Sequence, residues 1–454
     1  MHSPAVGAPI IPSVSRSDNG RLLFYLRKLI NRMARLLYTL VFYCLTPIIL
    51  LKLWLRGKKA PEYRLRWAER FGLVKWWQGE RPIWIHAVSL GETIAVIPLV
   101  ERLLQEHPDI PVIITSMTPT GSARVLAQFG ARVQHCYCPY DLPDALSRFH
   151  QRIQPRSCVI VETELWPNLI HSCKRRDIPV SVINARLSSR SARGYGKVSW
   201  LSRPMLQNIS RIAVQNSDDG ERFIELGLGA EKLEVTGSIK FDISVPADND
   251  ERISELREAW GCERPVLIGA STHDNEDQQL LEIYTNLQSR YNNLLLILVP
   301  RHPERFAEVY DQSVKAGWHT CRRSLGQLPT HDCQVYIGDT MGDLMLLYGA
   351  ADIVFVGGSL IERGGHNPLE PAVLSKPVLM GANYFNFNQI VSHMEQELAL
   401  QTVADKRELQ RAVAELIEHP EQARAMGMRG RQCIDANRGA LEKQLQLVKQ
   451  LSGI

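Results

Sequence analysis

The chain has 454 residues, which is too many for one ordinary hydrophobic core and enough for two domains. Its composition, 45% hydrophobic and 22% charged, is that of a globular protein rather than a disordered one. Residues 1–60 hold ten Lys/Arg and one Asp, so they carry a net +9 while the rest of the chain sums to −4. A basic excess confined to one end disfavours a nucleic-acid groove and favours contact with an anionic membrane surface.

The first predicted elements are a disordered basic extension over residues 1–32 and a membrane anchor over residues 33–59. The segment LLYTLVFYCLTPIILL (36–51) has sixteen residues without a charge, and basic residues lie on both sides of it. A spanning helix needs about 20 apolar residues, so a spanning anchor and a surface-bound anchor both stay open, as does a buried core helix. No small-residue cleavage site follows cleanly, which argues against a secretory signal.

From about residue 80 onward, strand-like and helix-like runs alternate, as in βαβ units with a parallel sheet. The first series of β-rich runs covers 82–88, 111–116, 157–162, 179–185 and 211–215. The second covers 265–271, 293–300, 334–338, 352–358 and 377–381. The pattern predicts two Rossmann-like domains, an N-terminal one over 60–244 and a C-terminal one over 245–454 that includes the last helices. The nine cysteines are scattered, which indicates a cytosolic protein without disulfides.

The common nucleotide and metal motifs are absent from the sequence. Neither half opens with GxGxxG or GxxxxGK[ST], and there is no HExxH. Asp339 and Asp343 are four residues apart, which is not a DxD pair. The acidic run HDNED (273–277) favours a capped helix start over a metal site. We therefore predict neither a metal nor a cofactor.

Seven motifs in order carry a resemblance to a known family. They are HAVSLGE (86–92), VETELWPN (161–168), NARLSSRS (184–191), GSIKFD (237–242), LVPRHPERF (298–306), GDTMGDL (338–344) and GGHNPLEPA (364–372). The series resembles the Kdo transferases, membrane-anchored enzymes of lipopolysaccharide assembly. The resemblance implies a GT-B fold, in which two Rossmann-like domains face a cleft. It also implies inversion at the anomeric carbon without a metal.

The family's catalytic residues match three positions of this sequence. The general base falls on Glu92, and the proposed transition-state stabilisers fall on Glu162 and Lys240. Independently of the family, a carboxylate with a raised pKa in a partly closed cleft can take the acceptor's proton. The alternative for Glu92 is that it only caps the following helix, and the alternative for Lys240 is a solvated surface lysine. Glu164 is expected to hold structure or the acceptor, and Trp166 to pack at the cleft or in the core.

The second half is expected to bind CMP. Arg301 follows an apolar run, which puts it at the carboxyl edge of the sheet where a phosphate can bind. Asn367 can cap a helix that begins at Pro368, and Glu370 can accept from ribose hydroxyls or be a first-turn acid that the helix dipole favours. Family members often have Glu at the position of Asp343, which weakens a side-chain role there but not a backbone one. The predicted CMP-binding residues are Pro300, Arg301, Met341, Gly342, Asp343, Asn367, Pro368, Leu369 and Glu370.

The sequence therefore predicts a transferase that moves Kdo from CMP-Kdo to the lipid A precursor on the cytoplasmic side of the inner membrane. Anionic lipids of that membrane are the expected partners of the basic arm. The nearest alternative is another membrane-associated GT-B enzyme that uses a UDP-sugar. Two alternatives of other classes are a sugar-nucleotide epimerase of similar fold and an inert anchored scaffold.

Overall fold

The computed structural model describes residues 16–58, 60–246, 248–330 and 332–454, and the chain forms two compact units. The first unit contains the described residues up to Ile239 together with Gly439–Ile454. The second contains Lys240–Arg438. The chain therefore passes from the first unit to the second between residues 239 and 240, five residues before the predicted boundary at 244/245.

The first unit is built on a seven-stranded parallel sheet with the strand order β3-β2-β1-β4-β5-β6-β7. Its strands are β1 (Ile83–His86), β2 (Val112–Ser116), β3 (Gln134–Tyr137), β4 (Ser157–Val161), β5 (Val180–Ala185), β6 (Arg211–Val214) and β7 (Leu233–Val235). Its helices before the crossing are α1 (Arg16–Arg56), α2 (Trp67–Arg70), α3 (Leu90–Glu106), α4 (Pro119–Phe129), α5 (Pro143–Ile153), α6 (Pro167–Lys174), α7 (Ser189–Lys197), α8 (Ser199–Gln207) and α9 (Ser217–Glu225). The strand order reverses between β1 and β4, and ligands of such sheets bind outside the carboxyl ends at that point.

The second unit has a parallel sheet of the same size, with the order β10-β11-β9-β8-β12-β13-β14. Its strands are β8 (Val266–Thr272), β9 (Leu295–Pro300), β10 (Thr320–Arg322), β11 (Val335–Ile337), β12 (Ile353–Val356), β13 (Val378–Gly381) and β14 (Gln401–Val403). Its helices are α10 (Asn249–Trp260), α11 (Glu276–Gln288), α12 (Phe306–Lys315), α13 (Leu344–Ala350), α14 (Leu369–Val373), α15 (Asn388–Gln396), α16 (Lys406–Glu418) and α17 (Pro420–Asn437). Here the order reverses between β8 and β12. The prediction of two Rossmann-like parallel-sheet units is confirmed, and their fold class is GT-B.

The central strands form because their residues are apolar on both faces, as a sheet covered by helices on both sides requires. Along β1, Trp84 packs into one core cluster while Ile83 and Ile85 pack into the other. Four strands, β3, β7, β10 and β14, were not among the predicted runs, and all four are edge strands. Edge strands are short and only partly buried, so they lack the continuous apolar pattern that identified the central ones.

The last helix, α18 (Ala440–Ser452), belongs to the first unit, although the sequence placed it in a C-terminal domain over 245–454. Leu445 and Val448 join the core cluster that contains Ile83 and Ile85. The buried Gln444 accepts from Asn184 N (2.9 Å) and donates to Thr236 Oγ1 (2.8 Å). The periodicity of the segment predicts an amphipathic helix, but it does not indicate which sheet that helix covers.

Helix α1 is longer than the predicted anchor. It begins at Arg16, so residues 16–32 are helical where disorder was expected, and residues 1–15 lie outside the described part of the chain. Its segment Leu29–Arg56 is long and apolar enough to cross a membrane, by length and composition. The segment is also largely exposed, which disfavours the alternative of a buried core helix.

We expect the Gln444→Leu substitution to lower the free energy of unfolding by roughly 2–4 kcal/mol. The change leaves the buried Asn184 N–H without its acceptor, which costs about 1–3 kcal/mol. It also removes the bonds that Gln444 donates to Thr236 Oγ1 and Gly237 O, each worth about 0.5–1.5 kcal/mol. Urea denaturation followed by tryptophan fluorescence measures the effect. The matched control is Gln446→Leu on the exposed side of the same helix, which should change stability by less than about 0.5 kcal/mol. Equal effects of the two substitutions would show that the buried hydrogen bonds of Gln444 do not stabilise the fold.

Candidate active site

Glu92 lies in the first turn of α3, just after β1, at the point where the strand order reverses. Ser89 Oγ accepts from Glu92 N (3.2 Å) and donates to Glu92 Oε1 (2.7 Å), while Glu92 Oε2 accepts from Val88 N (2.7 Å). This arrangement resembles a capping box, so Glu92 does help to begin the helix. Its side chain is buried, with 7% of the residue exposed, and it forms no ion pair within the described part of the chain.

Burial, together with the negative charges of Glu164 and Glu162, raises the pKa of Glu92 to about 7, although the hydrogen bonds from Ser89 and Val88 oppose that rise. A carboxyl group of that pKa is ionised in about half of the molecules at neutral pH and holds a proton well once it has taken one. Helix capping and proton transfer are therefore compatible roles for this side chain.

Glu162 directly follows β4, the neighbour of β1 in the sheet. Its backbone is left-handed, with φ of +58°, and its N–H donates to Ile183 O (2.9 Å). Its carboxylate Oε2 pairs with Arg186 Nε at 3.0 Å. A non-glycine residue in this conformation costs about 1–3 kcal/mol and is found most often at functional sites.

Two residues of the NARLSSRS motif lie at the same carboxyl edge of the first sheet, although no role was predicted for them from the sequence. Arg186 holds the Glu162 carboxylate. Asn184 is fully buried with φ of +49°, and its Oδ1 accepts from Ser238 Oγ (3.2 Å) and Ile239 N (3.3 Å). The signal that could have found them is the position of the motif at the carboxyl end of a buried strand.

Trp166, left open between cleft and core, packs against the core cluster of the first unit. Its ring meets His86 edge-on, with the ring centroids 4.7 Å apart, and its Nε1 donates to Glu164 Oε2 (3.0 Å). Burial lowers the pKa of His86 to about 3, so this imidazole is neutral and unsuited to act as a base at pH 7. Burial, with Glu162, raises the pKa of Glu164, although the bond from Trp166 opposes that.

In the second unit, the acidic run HDNED leads into α11, which begins at Glu276. The fully buried Glu276 carboxylate accepts from the backbone N–H groups of Gly358 (2.7 Å), Ser359 (3.0 Å), Leu360 (3.0 Å) and His273 (3.0 Å). It thus fixes the loop after β12. The preference for a helix start over a metal site agrees with these contacts, and among the described residues no His, Cys, Asp or Glu side chains form a group of metal ligands.

The predicted CMP residues Arg301 and Glu370 lie at the carboxyl edge of the second sheet. Arg301 follows β9, is exposed, and donates its backbone N–H to Thr272 O (2.9 Å). Asn367 Oδ1 accepts from Leu369 N (3.2 Å), so α14 begins at Leu369 rather than at the expected Pro368. Asn367 Nδ2 also donates to Glu370 Oε1 (3.2 Å). Burial raises the pKa of Glu370, and the Asn367 bond and the Arg301 charge oppose that rise.

Three histidines at this edge contact one another. The rings of His273 and His366 are stacked, with their Nε2 atoms 2.9 Å apart, and His302 meets His273 edge-on. Burial and the neighbouring cationic groups lower the pKa of both His273 and His366 to about 4. The stacked pair is therefore neutral at pH 7, with one Nε2–H donating to the other nitrogen.

The loop that contains Met341 and Gly342 is fixed by the side chain of Asp343. The Asp343 carboxylate accepts from Arg323 Nε (2.6 Å) and Thr340 Oγ1 (2.6 Å). Burial alone would raise the pKa of Asp343, but these bonds hold it below its usual value. Met341 is 71% exposed and Gly342 is left-handed (φ +92°), so the tip of the loop is exposed while the Asp343 carboxylate faces the protein.

Lys240, the third predicted catalytic residue, lies in a 3-10 turn over Ile239–Phe241 and is half-buried. It belongs to the second unit, whereas Glu92 and Glu162 belong to the first. Its catalytic role stays a prediction.

Comparison with known proteins gives the family. Residues 65–243 match the family described as 3-deoxy-D-manno-octulosonic-acid transferase (kdotransferase), and residues 278–433 match the glycosyl transferases of group 1. The chain is 44% identical to the 3-deoxy-D-manno-octulosonic acid transferase of Haemophilus influenzae over 92% of this chain and 98% of that protein. The chain belongs to the Kdo transferase family. The Bordetella pertussis enzyme of the same name is 34% identical over 93% of this chain and all of that protein.

Membership in the Kdo transferase family makes the protein a glycosyltransferase that transfers Kdo in lipopolysaccharide biosynthesis. A solved UDP-GlcNAc 2-epimerase from Neisseria meningitidis, bound to UDP-GlcNAc, has a similar fold with a TM-score of 0.50. It shares only 15% sequence identity while covering 81% of this chain and 99% of its own, so the likeness extends to architecture alone.

The raised pKa of Glu92 predicts how its substitution changes the pH dependence of stability. A carboxyl group whose folded pKa lies above its unfolded value stabilises the fold fully at low pH and loses that contribution as pH rises to about 7. Since Glu92→Gln cannot ionise, we expect the stability of this variant relative to the unmodified protein to rise by up to about 3 kcal/mol between pH 4.5 and pH 8. Urea denaturation at both pH values measures this, with Glu225→Gln at an exposed position as the control. A difference that does not change with pH would show that Glu92 has an ordinary pKa.

Proposed function

We propose that the protein is an inverting, metal-independent glycosyltransferase that moves Kdo from CMP-Kdo to the lipid A precursor. The observation that carries this proposal is Glu92, a buried carboxylate without a cationic partner among the described residues, at the point where the strand order of the first sheet reverses. In the reaction, an acceptor hydroxyl oxygen attacks the anomeric carbon as the bond from that carbon to the CMP phosphate breaks. Glu92 takes the hydroxyl proton, and CMP leaves with the bonding electron pair.

The second unit is proposed to bind CMP-Kdo. Arg301 forms no side-chain ion pair within the described residues, yet its charge acts on both His366 and Glu370. An unpaired guanidinium at a carboxyl sheet edge suits a phosphate. Glu370, held by Asn367, is proposed to accept from the ribose, and the backbone of Met341 and Gly342 to contact the nucleotide. Pro300, Pro368 and Leu369 position these groups.

The leaving group is proposed to be stabilised by protein cations rather than a metal ion. A monophosphate carries less charge than a diphosphate, so arginine and lysine can neutralise it. The carboxylates that could otherwise bind a cation here are already engaged: Asp343 by Arg323 and Thr340, and Asp339 by Arg322 Nε (2.7 Å) and Ser324. Lys240 and Glu162 are proposed to stabilise the transition state.

Helix α1 is proposed to bind the cytoplasmic surface of the inner membrane without spanning it. One side of the helix exposes Leu36, Leu37 and Leu40. The helix also contacts the first unit, where Tyr38 Oη donates to Asp141 Oδ2 (2.9 Å) and Tyr43 Oη to Asp144 Oδ1 (2.5 Å). If the helix spanned the bilayer, those acidic residues would lie at the depth of the hydrocarbon.

The experiment that tests the function uses purified full-length protein with CMP-Kdo and tetraacylated lipid A precursor, and the products are identified by mass spectrometry. The expected result is addition of Kdo, unchanged by EDTA in a metal-stripped preparation. Turnover with a UDP-sugar and none with CMP-Kdo would overturn the donor assignment. If EDTA abolished turnover and Mg²⁺ restored it, the metal-independent mechanism would be wrong.

Glu92→Gln should lower turnover by roughly 10²–10⁴-fold, the usual contribution of a positioned general base, while CMP affinity stays near normal. The remaining activity should lose the inflection near pH 7 in the rate profile. Glu225→Gln, with the same change at an exposed site, should retain full turnover. A Glu92→Gln enzyme with most of its activity would exclude Glu92 as the base.

Arg301→Ala should weaken donor affinity by about 1.5–3 kcal/mol, the value of one charge-assisted hydrogen bond. Isothermal titration with CMP measures this directly, without turnover. The control is Arg424→Ala, which removes an exposed arginine from α17 in the same unit. Similar CMP affinities for both variants would show that Arg301 does not bind the phosphate.

The combined change of Leu36, Leu37 and Leu40 to Asn should release the protein from membranes while leaving it folded, because these side chains are exposed. Each buried leucine contributes about 1.5–3 kcal/mol to membrane binding. Flotation with vesicles measures binding, and circular dichroism checks the fold. Leu126→Asn, at an exposed leucine of α4, is the control for an apolar residue off the anchor. A triple variant that still floats would place the anchor elsewhere.

A further inference from the structure

A second candidate site lies in the first unit beside the anchor helix. It is a pocket of about 400 Å³, which we call the arginine pocket. Its charged and polar lining includes Arg35 from α1, Ser147 from α5, and His171, Ser172, Arg175 and Arg176 from α6 and the residues after it. No acidic residue lines it.

The three arginines of the pocket have no carboxylate partner within 4 Å in the described chain. Arg176 donates to Ser172 O (3.2 Å) and to Ser147 Oγ (3.2 Å), and Arg35 Nη1 lies 3.5 Å from Asn168 Oδ1. Asp141, whose charge acts on Arg35, is buried and accepts instead from Asn168 N (3.0 Å), Leu169 N (2.6 Å) and Tyr38 Oη. Like charges gathered in this way repel one another unless an anion binds between them.

The positive charge of the arginine pocket also affects the protonation of His171. Burial, followed by the charges of Arg35 and Arg175, lowers the pKa of His171 to about 4. The imidazole is therefore neutral at pH 7 and can donate or accept a single hydrogen bond.

The helix dipole explains only part of this cluster. Cations at the C-terminus of a helix are favourable, which accounts for Arg175 and Arg176 after α6. It does not account for Arg35, which comes from a different helix and yet points into the same pocket.

The neighbours of Arg35 along α1 indicate what the anion is attached to. Met33, Leu36 and Leu37 are all exposed apolar residues within two positions of Arg35. At about 100° per residue these three side chains lie on the side of α1 away from Arg35. If that apolar side rests on the membrane, Arg35 and its pocket lie on the polar side of an interfacial helix, at the level of lipid headgroups and their phosphates.

We propose that the arginine pocket binds the phosphate group of an anionic lipid headgroup at the membrane surface, with Arg35, Arg175 and Arg176 as the cationic ligands. This deepens the proposed function, because it rests on α1 lying on the membrane. The phosphate can belong to a bilayer phospholipid or to the lipid acceptor, and the two sources are distinguished below.

The test uses full-length protein and phosphatidylcholine vesicles with increasing phosphatidylglycerol. We expect the Arg175→Gln/Arg176→Gln variant to lose about 5-fold in vesicle affinity per arginine at high phosphatidylglycerol, and little on pure phosphatidylcholine. The control is Arg124→Gln/Lys443→Gln, which removes the same charge from exposed positions of α4 and α18 in the same unit. If the control loses as much, general surface charge explains the binding and the pocket proposal is overturned.

A second measurement identifies the source of the phosphate. In nonionic detergent without phospholipid, a raised KM for the lipid acceptor in the pocket variant, with vesicle binding unchanged, assigns the pocket to the acceptor's phosphate. Loss of vesicle binding with an unchanged KM assigns it to bilayer phospholipid. If neither changes, and circular dichroism shows the variant folded, the proposal is wrong. Vesicle binding needs no turnover, so a failure of the proposed reaction with CMP-Kdo would be seen separately.

Discussion

The burial of both faces of a parallel strand is the constraint on which the rest of this structure depends. A strand covered by helices on both sides has no place for a charge, so polar groups collect just past its carboxyl end. Both sheets follow this rule where their strand order reverses. Glu92 and Glu162 come after β1 and β4, and the loop fixed by Glu276 comes after β12. The backbone turns sharply at several of these ends, with left-handed residues at Glu162, Asn184 and Ser271.

The same constraint separates structural carboxylates from the one proposed to move a proton. Asp339 and Asp343 are held by arginines and hydroxyls, which keep them ionised and attached to their loops. Glu92 receives hydrogen bonds only from Ser89 and a backbone N–H, and its charged neighbours are other carboxylates. Burial of an acid that has only uncharged donors and negative neighbours moves its pKa toward neutrality. The difference from Asp343, which also lies at a helix start, is in the partners.

Much of the fold could be predicted because central strands such as β4 and β9 are continuous apolar runs. What the sequence could not show depends on contacts distant in the chain. The edge strands β3, β7, β10 and β14 lack the apolar pattern. Helix α18 has the amphipathic pattern of a surface helix, but its attachment to the first sheet depends on Gln444 reaching Asn184, 260 residues away. The position of Trp166 was open for the same reason, since its neighbour His86 lies at the end of β1, distant in the chain.

For the candidate site, the limit of sequence reasoning is clearest in three glutamates. Glu92, Glu276 and Glu370 all lie in the first turn of a helix and read alike as acids that the helix dipole favours. In the structure they differ completely. Glu276 accepts four backbone N–H groups, three of them from the loop after β12. Glu370 is held by one amide and lies in the field of Arg301, whereas no cation of the described residues shifts the pKa of Glu92. The number and charge of the donors decide whether a first-turn acid fixes a loop, faces a ligand or accepts a proton. Those donors come from other elements of the fold. Local chemistry alone therefore left Glu92 indistinguishable from a helix cap, and its role as the base was predicted from the family motif.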